Sequence, residues 1–121
     1  MLPATSPLAG SAHRGGRIRV EHWVVAECQG QVAACNMLGL HERFDAIPFF
    51  WRQHYDVPIN YAGHADQWDE ITVEGSVEAK DCLLKYKHKG RVLAAASIFR
   101  GVENLQIELT MELAAAKAHC P

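Results

Sequence analysis

The sequence predicts an α+β domain: an N-terminal helix, then a small antiparallel sheet, then a C-terminal amphipathic helix packed on that sheet. Three patterns point there. Residues 22–38 place apolar side chains at alternating spacings of three and four and stop at Gly39. Short stretches between residues 59 and 99 alternate with a period of two and end at glycines. Val102, Leu105, Leu109 and Leu113 then return to helical spacing.

Length and composition bound the rest. With 121 residues, 49% hydrophobic and 21% charged, the chain has material for one modest core. Its net charge is −2 and its basic and acidic residues are interspersed, which argues against nucleic acid as a partner. Lys85, Lys87, His88, Lys89 and Arg91 come nearest to a basic cluster, but they sit in an expected hairpin and read as a solvated sheet face. No apolar run reaches the length of about 18 residues that a membrane helix needs. Met1 to Ser11 lacks both the basic start and the apolar stretch of a secretory signal, so a cytoplasmic location is expected. Cys28, Cys35, Cys82 and Cys120 suit that compartment as free thiols.

Along the chain, residues 1–16 are rich in breakers and read as a disordered arm, with order beginning near Arg17. A helix over 22–38 follows a short extended entry. Val25, Cys28, Val32 and Cys35 form its core stripe, and Ala26, Gly30, Ala33, Ala34 and Met37 form a second face of small residues. A mid-helix glycine costs about 1 kcal/mol relative to alanine, so Gly30 points either to tight helix packing or to a flat ligand close by. Phe49, Phe50 and Trp51 after Pro48 suggest core, or an aromatic wall with polar groups at its lip. Strands are expected at Ile59–Tyr61, at Ile71–Val73, and in a hairpin of Cys82–Lys87 with Arg91–Phe99 that turns at Lys89-Gly90. Residues 102–116 form the closing helix, with Val102, Leu105, Leu109 and Leu113 expected to face the sheet.

Little chemistry is written locally. None of the seven histidines pairs with another histidine or a cysteine at ligand spacing, and there is no CxxC, so a metal site is not expected. Nothing local supports a cysteine–histidine nucleophile. The chain has neither GxGxxG nor GxxxxGK[ST], and so no glycine turn to receive a pyrophosphate.

Two segments nevertheless carry a resemblance. Glu21, His22, Trp23, Ala26, Gln29 and Gly30 form an E-H-W-x-x-A-x-x-Q-G pattern within residues 17–39. Downstream, Pro48, Trp51, Gln53, Tyr55 and Asp56 lead into Ile59-Asn60-Tyr61-Ala62-Gly63. Both resemble the FAD-dependent NAD(P)H reductases of ferredoxin, rubredoxin and biphenyl-dioxygenase type, together with the apoptosis-inducing-factor-like proteins. The likeness covers residues 17–113. It departs at Arg52, where the family often has Ser, and in the absence of the Gly-Asp segment that the family carries upstream of Arg17.

The resemblance implies three regions: residues 1–16 as an arm, 17–40 as a remnant of the last flavin-domain helix, and 41–121 as the reductase C-terminal domain. It further implies that His22, Trp23 and Val24 lie at the flavin pyrimidine ring and that Trp51 lies near the flavin. FAD is expected only with the missing domains or a partner chain, and no cofactor is expected for the isolated chain. The implied partners are a nucleotide-binding reductase chain or domain and an iron–sulfur electron acceptor of ferredoxin or Rieske type, with no activity alone. A different class of reading is a non-enzymatic interaction or dimerisation module, which would use the small-faced helix and the aromatics to bind a partner chain or itself as a homo-oligomer.

Overall fold

The computed structural model describes residues 8–10 and 17–119, which fall into two compact units, residues 1–46 and residues 47–121. In the first, β1 (Leu8–Gly10) pairs antiparallel with β2 (Arg17–Arg19), so part of the expected arm is a strand. The rest of that arm lies outside the described residues.

Helix α1 (Trp23–Met37) follows. His22 is its N-cap, with extended backbone. Its end follows the chemistry expected at Gly39, whose φ is +94°. Leu40 N–H donates to Cys35 O and Gly39 N–H to Asn36 O, both at 3.1 Å, the two bonds of a Schellman motif. The Asn36 side chain then fastens the exit by exchanging two hydrogen bonds with the backbone of Glu42, at 2.9 and 2.7 Å. Val25 is buried and Cys28, Val32 and Cys35 are half-buried, as their spacing predicts, whereas Ala26, Gly30, Ala33, Ala34 and Met37 are exposed.

The second unit is a five-stranded antiparallel sheet in the order β3-β4-β7-β6-β5, with one helix. Its strands are β3 (Phe49–His54), β4 (Val57–Gly63), β5 (Glu70–Ser76), β6 (Asp81–His88) and β7 (Arg91–Ile98), and α2 (Gly101–His119) packs on β4 and β7. The fold class is therefore the expected one. The β6–β7 hairpin turns at Lys89 and Gly90, whose φ values of +52° and +76° suit the tight turn that matches strand twist. Gly63 also has a required conformation: its φ is +89°, and a Cβ there would lie 2.3 Å from Leu93 O.

Cross-strand register assigns the faces. Trp51, Asn60, Ser97, Leu83 and Glu74 form one row, and Phe49, Ala62, Ala95, Lys85 and Thr72 the next. This is the α2 side, because the Asn60 amide lies 3.4 Å from where a Cβ on Gly101 would stand. The reverse side carries Phe50, Tyr61, Ala96, Leu84 and Val73 in one row and Ile71, Tyr86 and Ala94 in another.

The helix face is a correction. Asn104, Met111 and Ala115 are buried, while Val102, Leu105, Leu109 and Leu113 are each more than half exposed. The reason lies in how close α2 comes to the sheet. On the sheet face that carries fully buried Ala62 and Ala95, the fully buried Asn104 Nδ2 donates to Asn60 O and Ala95 O at 3.3 and 3.2 Å. Counting apolar residues at helical spacing cannot foresee a polar pin of this kind.

Candidate functional site

The features singled out in the sequence fall in two units: Gly30 and the start of α1 in the first, the aromatic stretch and the basic hairpin in the second. At the start of α1, His22 Nδ1 accepts from Val24 N–H at 3.4 Å, which requires the ring proton on Nε2. The bond is long, and the first intrahelical bond is Ala26 N–H to His22 O at 3.1 Å. The first turn carries no acidic side chain, so nothing on the helix itself neutralises its positive end. Trp23 stands exposed, its ring centroid 6.0 Å from that of His22, and Val24 is half-buried. This end can receive a planar, electron-rich group against its backbone N–H donors.

Gly30 has no atom within 4 Å of where its Cβ would be. Among the described residues, neither tight helix packing nor a close backbone accounts for it.

In the second unit, edge strand β3 carries the aromatic stretch, but not as core. Phe49 and Phe50 are half-buried, Trp51 is 50% exposed and Tyr55 is 89% exposed. Trp51 pairs with Asn60 on the α2 side, so its ring stands on the open margin of the sheet beside the start of α2. Tyr55 occupies the β3–β4 turn with φ of +54°, and Gln53 Nε2 donates to its carbonyl at 2.9 Å.

On the reverse face lies an aromatic file that local motifs do not reveal. Phe50 stacks on Tyr61 at 5.1 Å between centroids, Tyr61 lies 6.4 Å from Tyr86, and Trp68 meets Tyr86 edge-on at 5.4 Å. Burial, and then neighbouring Tyr86, raise the Tyr61 phenol above its ordinary range. The period of two at Tyr61 and Tyr86 was the signal; Trp68 lies in a loop and had none.

The basic hairpin is largely paired. Lys85 Nζ donates to Glu74 Oε1 at 2.7 Å, and His88 Nδ1 lies 3.6 Å from Asp69 Oδ2. Asp69 also accepts from Lys89 N–H at 2.8 Å. Across the sheet end, Arg100 Nε donates to Asp81 Oδ1 at 2.6 Å, holding the exposed Asp81 carboxyl below the usual carboxylate range. Among the described residues, no group of three or more His, Cys, Asp or Glu could hold a metal ion, and no helix is long and apolar enough to cross a membrane.

Comparison with known proteins places these features in a family. Residues 49–118, more than half of the chain, match the family described as Reductase C-terminal. Apoptosis-inducing factor 3 of Mus musculus is 31% identical over 94 residues, 78% of this chain and 15% of that protein. Putidaredoxin reductase of Pseudomonas putida is 31% identical over 86 residues, 71% of this chain and 20% of that protein. The chain thus spans only a small part of the length of these relatives. Among solved structures, a covalent putidaredoxin reductase–putidaredoxin complex matches with a TM-score of 0.78 and 27% identity, over 85% of this chain and 24% of the reductase. With the same sheet-and-helix architecture and the matching sequence span, the chain belongs to the Reductase C-terminal family found in ferredoxin-reductase-type oxidoreductases.

Proposed function

We propose that the chain is the C-terminal part, or a subunit, of an FAD-dependent NAD(P)H oxidoreductase that passes electrons to an iron–sulfur protein of ferredoxin or Rieske type, and that it is inactive alone. The observation that carries this reading is the likeness of 85% of this chain to about a quarter of a chain from the covalent putidaredoxin reductase–putidaredoxin complex. The lack of any phosphate-binding glycine motif in the sequence supports the second half.

The residues at the start of α1 fit FAD as a group. His22, Trp23 and Val24 would hold the pyrimidine edge, because backbone N–H donors at a helix start whose first turn carries no acidic side chain favour negative charge there. Trp51, half exposed on the sheet margin, would cover the ring system and keep water away. Bound flavin would supply the two-electron to one-electron exchange between NAD(P)H and the iron–sulfur centre. This chain's share is to orient, to stabilise charge and to exclude water. A nucleotide-binding reductase chain or domain is the required companion.

The test is a flavin fluorescence titration with FAD, with and without a nucleotide-binding reductase portion from a relative. Binding only in the presence of that portion, weakened by Trp51→Ala, is the expected result. Flavin retention by the chain alone would overturn the claim that it is inactive and incomplete by itself. A second reading, a non-enzymatic interaction module, draws on the exposed small face of α1. Stable capture of the companion in the complete absence of flavin, with no gain in flavin affinity, would favour it.

A further inference from the structure

The sheet takes the weaker face of α2 and leaves the more apolar one to solvent. Asn104, Ile107, Glu108, Met111 and Ala115 point inward, while Val102, Leu105, Leu109 and Leu113 form an outward stripe. Three residues before that stripe, Phe99 holds a φ of +56° and is 57% exposed. A non-glycine residue in the left-handed region costs about 1–3 kcal/mol and persists only where the surroundings impose it, so the chain accepts strain to present an aromatic ring at the head of the stripe.

We infer that this stripe binds a second copy of the chain, with the two α2 helices antiparallel about a two-fold axis at Leu109. The spacing is self-complementary. Leu105 faces Leu113 of the other copy, and Val102 faces Ala116, a small residue that lets the helix ends approach. On one flank, Lys117 comes within half a helical turn of Glu103 from the other copy, giving two opposite-charge pairs per dimer. On the other flank, exposed Glu112 and its copy add like charge that limits affinity.

The area agrees with a weak dimer. Five side chains, each more than half exposed, offer on the order of 500 Å² per copy, about 1,000 Å² in total, the lower edge of specific interfaces. The inference does not depend on flavin or on the proposed reductase role.

Sedimentation equilibrium over a wide concentration range tests it without cofactor. A reversible monomer–dimer equilibrium is expected. Leu109→Arg, at an exposed position that leaves folding intact by circular dichroism, should raise the dissociation constant more than about tenfold. Glu103→Lys should raise it about fivefold, adding Lys117→Glu should return it toward the parent value, and Glu112→Gln should lower it about two- to fivefold. A parent chain that stays monomeric at the highest concentration reached would overturn the inference, as would a dimer that Leu109→Arg leaves unchanged. A monomeric chain whose capture of a nucleotide-binding portion is lost in Leu109→Arg would instead assign the stripe to that companion.

Discussion

The two helices of this chain present similar patterns of apolar residues and behave in opposite ways. Helix α1 buries only Val25 and is held at its ends, by the His22 cap and the Gly39 exit. Helix α2 is held along one face, by the fully buried Asn104 amide reaching two sheet carbonyls from the first turn and by buried Met111 and Ala115 further along. Isolated helices of about 15 residues are marginal in water, so α1 has little stability of its own and α2 borrows its stability from the sheet. Where a helix is fastened thus decides which of its faces is available for other work.

The sharpest way to break that contrast is to damage the platform under α2. Gly63→Ala forces a Cβ to within 2.3 Å of Leu93 O at a φ of +89°. A loss of about 3 kcal/mol or more is expected, because both strands beneath the helix must shift. Urea denaturation measures it. Hydrogen exchange locates it: amides of β4, β7 and α2 should lose protection while those of α1 change little. Equal loss in α1 would show the two helices to be one cooperative unit.

Next in size is the pin itself. Asn104→Ala removes two hydrogen bonds and a fully buried side chain, with an expected cost of about 2–3 kcal/mol by urea denaturation. Ser97 gives the control. Its hydroxyl is equally buried but has no hydrogen-bond partner among the described residues, so Ser97→Ala should be neutral or slightly stabilising. If the two substitutions cost the same, volume rather than hydrogen bonding holds α2.

For α1 the expected sign reverses. A Cβ on Gly30 meets nothing within 4 Å, so Gly30→Ala should raise helix stability by about 0.5–1 kcal/mol in thermal melts. If the exposed small face of α1 is an interaction surface, the same substitution should weaken assembly with a nucleotide-binding portion, because it adds bulk to that face. Gains in both stability and assembly would remove any reason for a glycine there.

The contrast also explains what could be read from the sequence. The extent of α1, the β6–β7 hairpin and the stop at Gly39 follow from local rules: apolar spacing, turn residues and the left-handed tolerance of glycine. The E-H-W pattern, too, lies within one stretch. What escaped depends on partners distant in sequence. Asn104 acquires its role only when Asn60 and Ala95 are brought beside it, so apolar spacing alone turns the leucines toward the sheet and gives no reason to turn Asn104 inward. The strand β3 escaped for a related reason. Its rings suggested burial, yet an edge strand buries only what its single neighbour covers, and Trp51 was left half exposed.

The smallest expected effect concerns Glu108, on the inward side of α2. Partial burial, and then neighbouring Glu112, raise its carboxyl above the ordinary value. A raised folded-state pKa means that the folded protein binds its proton more tightly than the unfolded chain. The favourable contribution is therefore complete below the unfolded pKa, near 4.3, and is lost as pH rises through the higher folded value. At neutral pH the charged carboxylate opposes the docking of α2. Glu108→Gln should accordingly raise the melting temperature slightly at pH 7, with the gain shrinking toward zero below about pH 4. A gain that is independent of pH would assign the effect to helix propensity or packing, whereas a loss at pH 7 would mean that the Glu108 carboxylate helps to hold the inward face of α2.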